Sequence, residues 1–357
     1  MRYLWVLFSW LILLQPPLLA APPVLTSVIP GKVFEFPDDH GAHPDFRIEW
    51  WYVTGWLTTS AGDPLGFQIT FFRLATQADE DNPSNFAPHQ LIIAHAALSD
   101  PKVGKLLHDQ RIVRAGFDLA YAKTGNADVK LDDWFFTRAA DGHYHTRIEA
   151  ENFTLNFTLT PTQPLMLQGN NGFSRKGPQA AQASYYYSEP HLQVSGTINH
   201  LEKNIPVTGT AWLDREWSSE YLATDAAGWD WASANLDDGS ALMAFQIRGK
   251  DGSKVWAYAT LRDPSGQTRS FTPDQVSFTP IRTWRSSHTQ AVYPVATRIR
   301  TGETEWQITP LMDDQELDSR NSTRAVYWEG AVTFRRDGES VGKGYMELTG
   351  YVQPLTM

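Results

Sequence analysis

Cysteine is absent from all 357 positions of the sequence. That absence excludes disulfides, thiolate nucleophiles, iron–sulfur centres, thiolate zinc sites and the lipidated cysteine of a bacterial lipoprotein. Packing alone must hold the fold. Positive charge is also short, with 30 Lys plus Arg against 40 Asp plus Glu and a formal charge of −10. No basic arm and no finger spacing offsets that sign, so phosphate backbones are repelled and nucleic acid is excluded as a partner. Past the N-terminus no segment sustains helical periodicity for about fifteen residues, and no run is long and apolar enough to be a retained membrane span. No Gly-rich loop follows a strand, and neither a serine elbow nor an HExxH helix is present, which removes the Rossmann, hydrolase-elbow and zincin readings.

What is present begins with an export pattern. Arg2 precedes the apolar run Tyr3 to Leu14, then Gln15-Pro16-Pro17 and the small residues Ala20 and Ala21. A short apolar segment with one positive charge reads as a signal peptide over 1–21, cleaved near Ala20 or Ala21. The mature chain is then expected in the periplasm or secreted. A bacterial periplasm suits an exported chain without cysteine.

The remaining sequence is a succession of short β-branched and aromatic runs, among them Ile48 to Trp56, Gly66 to Leu74, Leu192 to Ile198, Trp229 to Leu236, Ala325 to Phe334 and Gly344 to Tyr351. Turn signals such as Asp238-Gly239 and Asp337-Gly338 separate them. Strands without intervening helices predict an all-β chain of antiparallel sheets. A short helix is expected within Asp100 to Tyr121 and a helical turn at Asp313 to Arg320. Trp51 through Phe67 is echoed by Trp231 through Phe245, which suggests two related halves. The polar break His200-Leu201-Glu202-Lys203-Asn204 sets the expected division into an N-terminal domain, 22–204, and a C-terminal domain, 205–357.

Tryptophan is over-used, with 14 in the chain, and strand alternation sorts these rings with the acids beside them. Glu49 and Trp51 share one face of an apolar run. Glu49 is either hydrogen-bonded and shifted in pKa there, or solvated at a strand start. Trp212, Asp214 and Glu216 share a face that suits a cavity wall in which one acid keeps its proton; a salted surface face is the alternative. Arg215 points the other way, leaving Arg248, Arg298 and Arg324 as candidate partners. Glu329 shares a face with Tyr327, and Tyr345, Glu347, Thr349 and Tyr351 form another polar aromatic row. Asp141, His143 and His145 have ligand spacing but no third-ligand motif, so no metal is expected, and no cofactor.

The segments His43-Pro44-Asp45-Phe46-Arg47-Ile48-Glu49-Trp50-Trp51-Tyr52, Ala211-Trp212-Leu213-Asp214-Arg215-Glu216-Trp217, Gly228-Trp229-Asp230-Trp231, Tyr327-Trp328-Glu329-Gly330 and Gly344-Tyr345-Met346-Glu347-Leu348-Thr349-Gly350-Tyr351 resemble the AttH-like family, which is related to bacterial carotenoid 1,2-hydratases. The resemblance implies two lipocalin-like (calycin) β-barrel domains with apolar cavities, and an ABC-transporter permease as a partner. Related enzymes hydrate carotenoid double bonds or guide polyene cyclisations. Their acid site maps onto Trp229 and Trp231, or Asp230 and Trp231, with Tyr258 downstream; no histidine stands where a His-x-Trp pair requires one. Two functions follow. One is binding of a lipid- or polyene-like hydrophobic molecule in a barrel cavity, with Glu49, Trp51, Trp212, Trp231, Glu329, Tyr345 and Glu347 as contacts. The other is acid-catalysed hydration, isomerisation or cyclisation of an apolar unsaturated substrate, with Asp214, Glu216, Asp230 and Tyr258 as the reacting groups.

Overall fold

The computed structural model describes residues 25–76, 84 and 87–355. The expected signal peptide lies outside the described residues. The chain forms two large antiparallel sheets, one of 13 strands and one of 10. Among the described residues the one helical element is the 3-10 turn Asp38–His40, and no helix is long and apolar enough to cross a membrane.

The first sheet runs in space from Leu106–Arg114 through Gln90–Ser99, Pro64–Ala75, Ile48–Thr59, Lys203–Ser218, Ala183–His200 and Phe153–Thr160 to a meander ending at Ala120–Ala122. Its two ends approach each other and nearly close a barrel. The second sheet begins with Ala226–Leu236 and Ala241–Gly249, ends with Ala325–Arg336 and Glu339–Leu348, and curls in the same way. In each sheet the first long strand pairs with the last: Ile48–Thr59 with Lys203–Ser218, and Ala226–Leu236 with Glu339–Leu348. The all-β, antiparallel architecture read from the strand pattern is the one observed, as are the barrels that the resemblance implies, and the aromatic echo falls on the first hairpin of each sheet.

Three local expectations change. The polar break at 200–204 is a tight hairpin turn inside the first sheet, with Leu201 at φ 51° and Glu202 at φ 59°. The chain passes from one sheet to the other between Ser218 and Ala226 instead. The helix expected within Asp100 to Tyr121 is the strand Leu106–Arg114, because Gln90–Ser99 offers it a full ladder of backbone partners. The turn expected at Asp313 to Arg320 contains the strand Glu316–Ser319, paired to Ala325–Arg336.

Each barrel is filled from its inner face. Trp51, Val53, Leu57, Phe67, Ile69 and Phe71 pack with Leu155, Phe157 and Leu213 in the first. Trp328, Val332, Phe334, Met346 and Leu348 pack with Ala232, Ala234 and Trp306 in the second. Both of these barrel walls are apolar on their outer face as well. A third cluster, containing Tyr52, Trp56, Tyr186, Trp212, Trp231, Phe245, Ala331 and Tyr345, joins the outer faces together. Gly66 marks a close approach of the two sheets: a Cβ there would sit 2.6 Å from the Cβ of Ala331.

Candidate active site between the two sheets

Alternation decides what reaches the junction. From the first sheet the even-numbered side chains Trp50, Tyr52, Phe72, Tyr186, Asp214 and Glu216 point outward, and from the second the odd-numbered Trp229, Trp231, Phe245, Tyr327, Glu329 and Glu347 meet them. They enclose a chamber of about 80 Å³, completed by Tyr221 and Lys176 from loops. A wider hollow of about 300 Å³ adjoins it and shares Ile48, Phe72, Trp229, Tyr327 and Glu347 with it, while Arg47 and Arg324 stand among its other lining residues. The acidic cavity therefore lies between the barrels. Asp214 and Glu216 reach it from the last strand of the first sheet, not from within the second domain.

Four carboxyls face this chamber against one cation, Lys176. Their surroundings separate them into two kinds. Asp214 is saturated with donors: Ser188 Oγ (2.5 Å) and Trp212 Nε1 (2.6 Å) donate to Oδ1, and the Tyr186 hydroxyl (2.6 Å) donates to Oδ2. Burial nevertheless pushes its pKa up to about 7, with Glu216 adding to the rise against those three donors. Glu216 pairs with Lys176 at 2.7 Å and accepts from Ser184 Oγ. Its pKa is raised by burial and opposed by Lys176. The arginines considered as partners are elsewhere, Arg248 being bound to Asp230.

Glu329 and Glu347 are unlike these. They are directly opposed in register on neighbouring strands of the second sheet. Glu329 is 1% exposed, and neither its carboxyl oxygens nor the nearby Tyr52 hydroxyl makes a hydrogen bond of ordinary geometry. Burial raises its pKa well above the carboxylate range and Glu347 raises it further, against the opposing effect of the nearby Tyr52 hydroxyl. Glu347 accepts one bond, from Trp229 Nε1 at 2.9 Å. Burial raises Glu347 to about 7, with Asp214 and Glu216 adding to the shift. Two carboxyls so placed do not both ionise, and the pair holds a proton at neutral pH.

The other sequence candidates lie apart. Glu49 and Trp51 are on the opposite face from Trp50. Glu49 bridges Arg73 and Arg215 at one end of the first barrel, and Arg215 lies 3.9 Å over the Trp51 ring. Asp230 faces away from Trp229 and Trp231, bound by Arg248 Nε at 2.9 Å and the Tyr351 hydroxyl at 2.9 Å. Tyr258 donates to Ser270 Oγ at 2.7 Å and is outside the chamber lining. Tyr345 and Trp212 line a smaller gap in the same junction, and Trp231 lines the chamber, its Nε1 3.1 Å from the Tyr186 hydroxyl.

Sequence reasoning passed over Lys176, Tyr186, Tyr221, Trp50 and Tyr52 as site residues. A signal existed for two of them: a strand apolar on both faces, as at Ile48 to Trp56, needs a second surface to cover it. Lys176 gives no such signal, since only folding brings its loop to Glu216.

In the outer hollow, His95 Nε2 lies 2.8 Å from Ser322 Oγ, the distance of a nucleophile and its base. The hydroxyl hydrogen of Ser322, however, is given to Gln110 Oε1 at 2.7 Å, and the Gln110 amide is fixed by donating to Asp318 O. Burial lowers the His95 pKa to about 3. The pair is wired against serine activation.

A family model described as AttH-like matches residues 27–351. The chain is 78% identical to a candidate AttH of known crystal structure from Nitrosomonas europaea, which covers 92% of this chain and 100% of its own length with a TM-score of 0.87. Kievitone hydratase from Nectria haematococca has the fold at 15% identity, covering 94% of this chain and 98% of its own, TM-score 0.69. CghA, solved with Sch210972, is more distant at 13% identity, 94% and 98% coverage, and a TM-score of 0.55. No curated protein matches the chain.

Proposed function

The chain belongs to the AttH-like family, and from that premise we propose that it binds an apolar, unsaturated small molecule between its barrels and transfers a proton to it. The observation that carries this reading is the Glu329–Glu347 pair, opposed in register and buried against an aromatic chamber without a cation beside it. The outer hollow takes the apolar body, and the unsaturated end enters the chamber. Glu329 gives its proton to one carbon of a double bond. The faces of Trp50, Trp229 and Trp231 share the cation left on the other carbon. Water then adds to that carbon and its proton passes to Glu347, giving hydration; loss of a neighbouring C–H proton to Glu347 instead gives isomerisation. Asp214, its carboxyl held in place by three donors, borders the cation from the first sheet. The distant hydratase of the same fold lends this reading an architecture and no substrate.

Incubating the protein in D2O with a panel of conjugated polyenes and enones, and following mass, tests it. The expected result is carbon-bound deuterium in one substrate class, lost in Glu329→Gln, while tryptophan quenching by the same compound persists. Quenching without deuterium uptake in the parent protein reduces the function to binding.

A further inference from the structure

Lys176 is unusual for a lysine. It is 1% exposed, stands in the loop between the Phe173–Arg175 and Ala183–His200 strands, and its backbone is pinned by donation to Gln182 O at 2.7 Å. Its Nζ lines the chamber 2.7 Å from Glu216 Oε1 and 3.2 Å from Ser174 Oγ. Around the amine stand three aromatic rings, with centroids at 4.2 Å (Phe245), 4.6 Å (Tyr186) and 5.4 Å (Tyr221). A lysine kept only to neutralise Glu216 has no need to be the one amine facing a ligand cavity. A proton-accepting carboxylate, an apolar aromatic wall and a buried amine are the three parts that imine formation with a carbonyl requires.

We propose that Lys176 captures an aldehyde carried on an apolar unsaturated body, forming a covalent imine whose protonated form is balanced by Glu216. This rests on the chamber being a ligand site, as argued above, and names the chemical class of that ligand. The ammonium first passes a proton to Glu216. The free Nζ attacks the carbonyl carbon, the C=O π pair moves to oxygen, and a proton shifts from nitrogen to that oxygen to give the carbinolamine. Glu216 then returns its proton to the hydroxyl, which leaves as water while the nitrogen lone pair forms the C=N bond. The sum is aldehyde plus lysine ammonium giving iminium plus water, with no oxidant or reductant. Protonation of the imine draws electrons from a conjugated chain, and the iminium then sits against the Glu216 carboxylate and the Tyr186 and Phe245 faces.

Burial lowers the Lys176 pKa against the opposing pull of Glu216, which makes the free amine more available than that of a surface lysine. The intact protein is treated with equimolar trans-cinnamaldehyde and sodium cyanoborohydride, digested, and the alkylated lysine located by mass spectrometry. Cinnamyl alcohol, which cannot condense, is titrated in parallel against tryptophan fluorescence. The expected result is a reduced adduct on Lys176 about tenfold above any other lysine, absent from Lys176→Arg. An adduct spread over other lysines, with the alcohol still quenching, overturns the imine and leaves the chamber as a binding site. Loss of both quenching and adduct overturns the imine and the chamber reading together.

Discussion

Two buried glutamates show how the same side chain is put to opposite uses. Glu49 is enclosed by Arg73, Arg215 and His43. Burial alone would raise its pKa, but Arg215 and His43 more than reverse this, and it is held well below the carboxylate range. It is an anion that ties the N-terminal segment to the barrel, since Arg73 Nη2 also donates to the carbonyls of His43 and Phe46. Glu329 and Glu347 have no such cations, and ionisation there is paid for by the fold. The sign of the consequence is definite. The pKa of Glu347 rises from 4.5 to about 7 on folding, so the stability it lends is fully present below pH 4.5 and is lost as pH rises through 7. Gln imitates the protonated acid. Glu347→Gln should therefore match the parent near pH 4.5 and exceed it at pH 8 by roughly 2–3 kcal/mol. Urea denaturation of both proteins across that range reads the difference directly, because contributions common to the two cancel. A constant offset between them would mean that Glu347 is ionised throughout.

At the scale of strands, alternation was readable and the assignment of faces was not. Trp212, Asp214 and Glu216 share a side, as do Tyr345 and Glu347, and Arg215 points away from them, all as the two-residue period requires. What no single strand encodes is whether a given side faces the inside of a barrel or another barrel. Asp230 and Trp231 are adjacent and so must part company, one to Arg248 and the other to the chamber. Partners supplied by other segments were equally hidden: the register of the first hairpin sets Arg73 opposite Glu49, and Lys176 reaches Glu216 from a loop, neither of which sequence proximity reveals. The polar stretch at 200–204 was legible as a break but not as a turn within one sheet. Its two central residues both adopt positive φ, the geometry of a type I′ turn, yet they are Leu201 and Glu202 rather than Asn and Gly. The double variant Leu201→Asn, Glu202→Gly should therefore raise stability by about 1 kcal/mol, without changing ligand binding, because it relieves two strained residues far from the chamber. A lower melting temperature would show that the Leu201 side chain contributes contacts outweighing that strain.

For the molecule as a whole, the two sheets are clasped through the surface that forms the chamber. Trp56 Nε1 donates across the junction to Gly344 O at 2.8 Å, Ser99 Oγ to Gln315 Oε1 at 2.7 Å, and Trp231 Nε1 to the Tyr186 hydroxyl at 3.1 Å. His95 and Tyr327 meet in the same way at 2.8 Å. Either barrel alone would expose its share of the aromatic cluster, Tyr52, Trp56 and Trp212 on the first and Trp231 and Phe245 on the second, the kind of patch that soluble surfaces avoid. Without cysteine, no disulfide supplements this contact. The barrels should therefore unfold together, in one calorimetric transition whose van't Hoff and calorimetric enthalpies agree, although a chain of this size would ordinarily be free to lose its halves separately. A ligand held between the sheets touches both, so it should shift that single transition upward without splitting it. Two resolved transitions, with only one moved by ligand, would mean that the chamber belongs to one barrel. The four carboxyls would then have to be explained by that barrel alone, which their division between the two sheets does not allow: Asp214 and Glu216 come from one, Glu329 and Glu347 from the other.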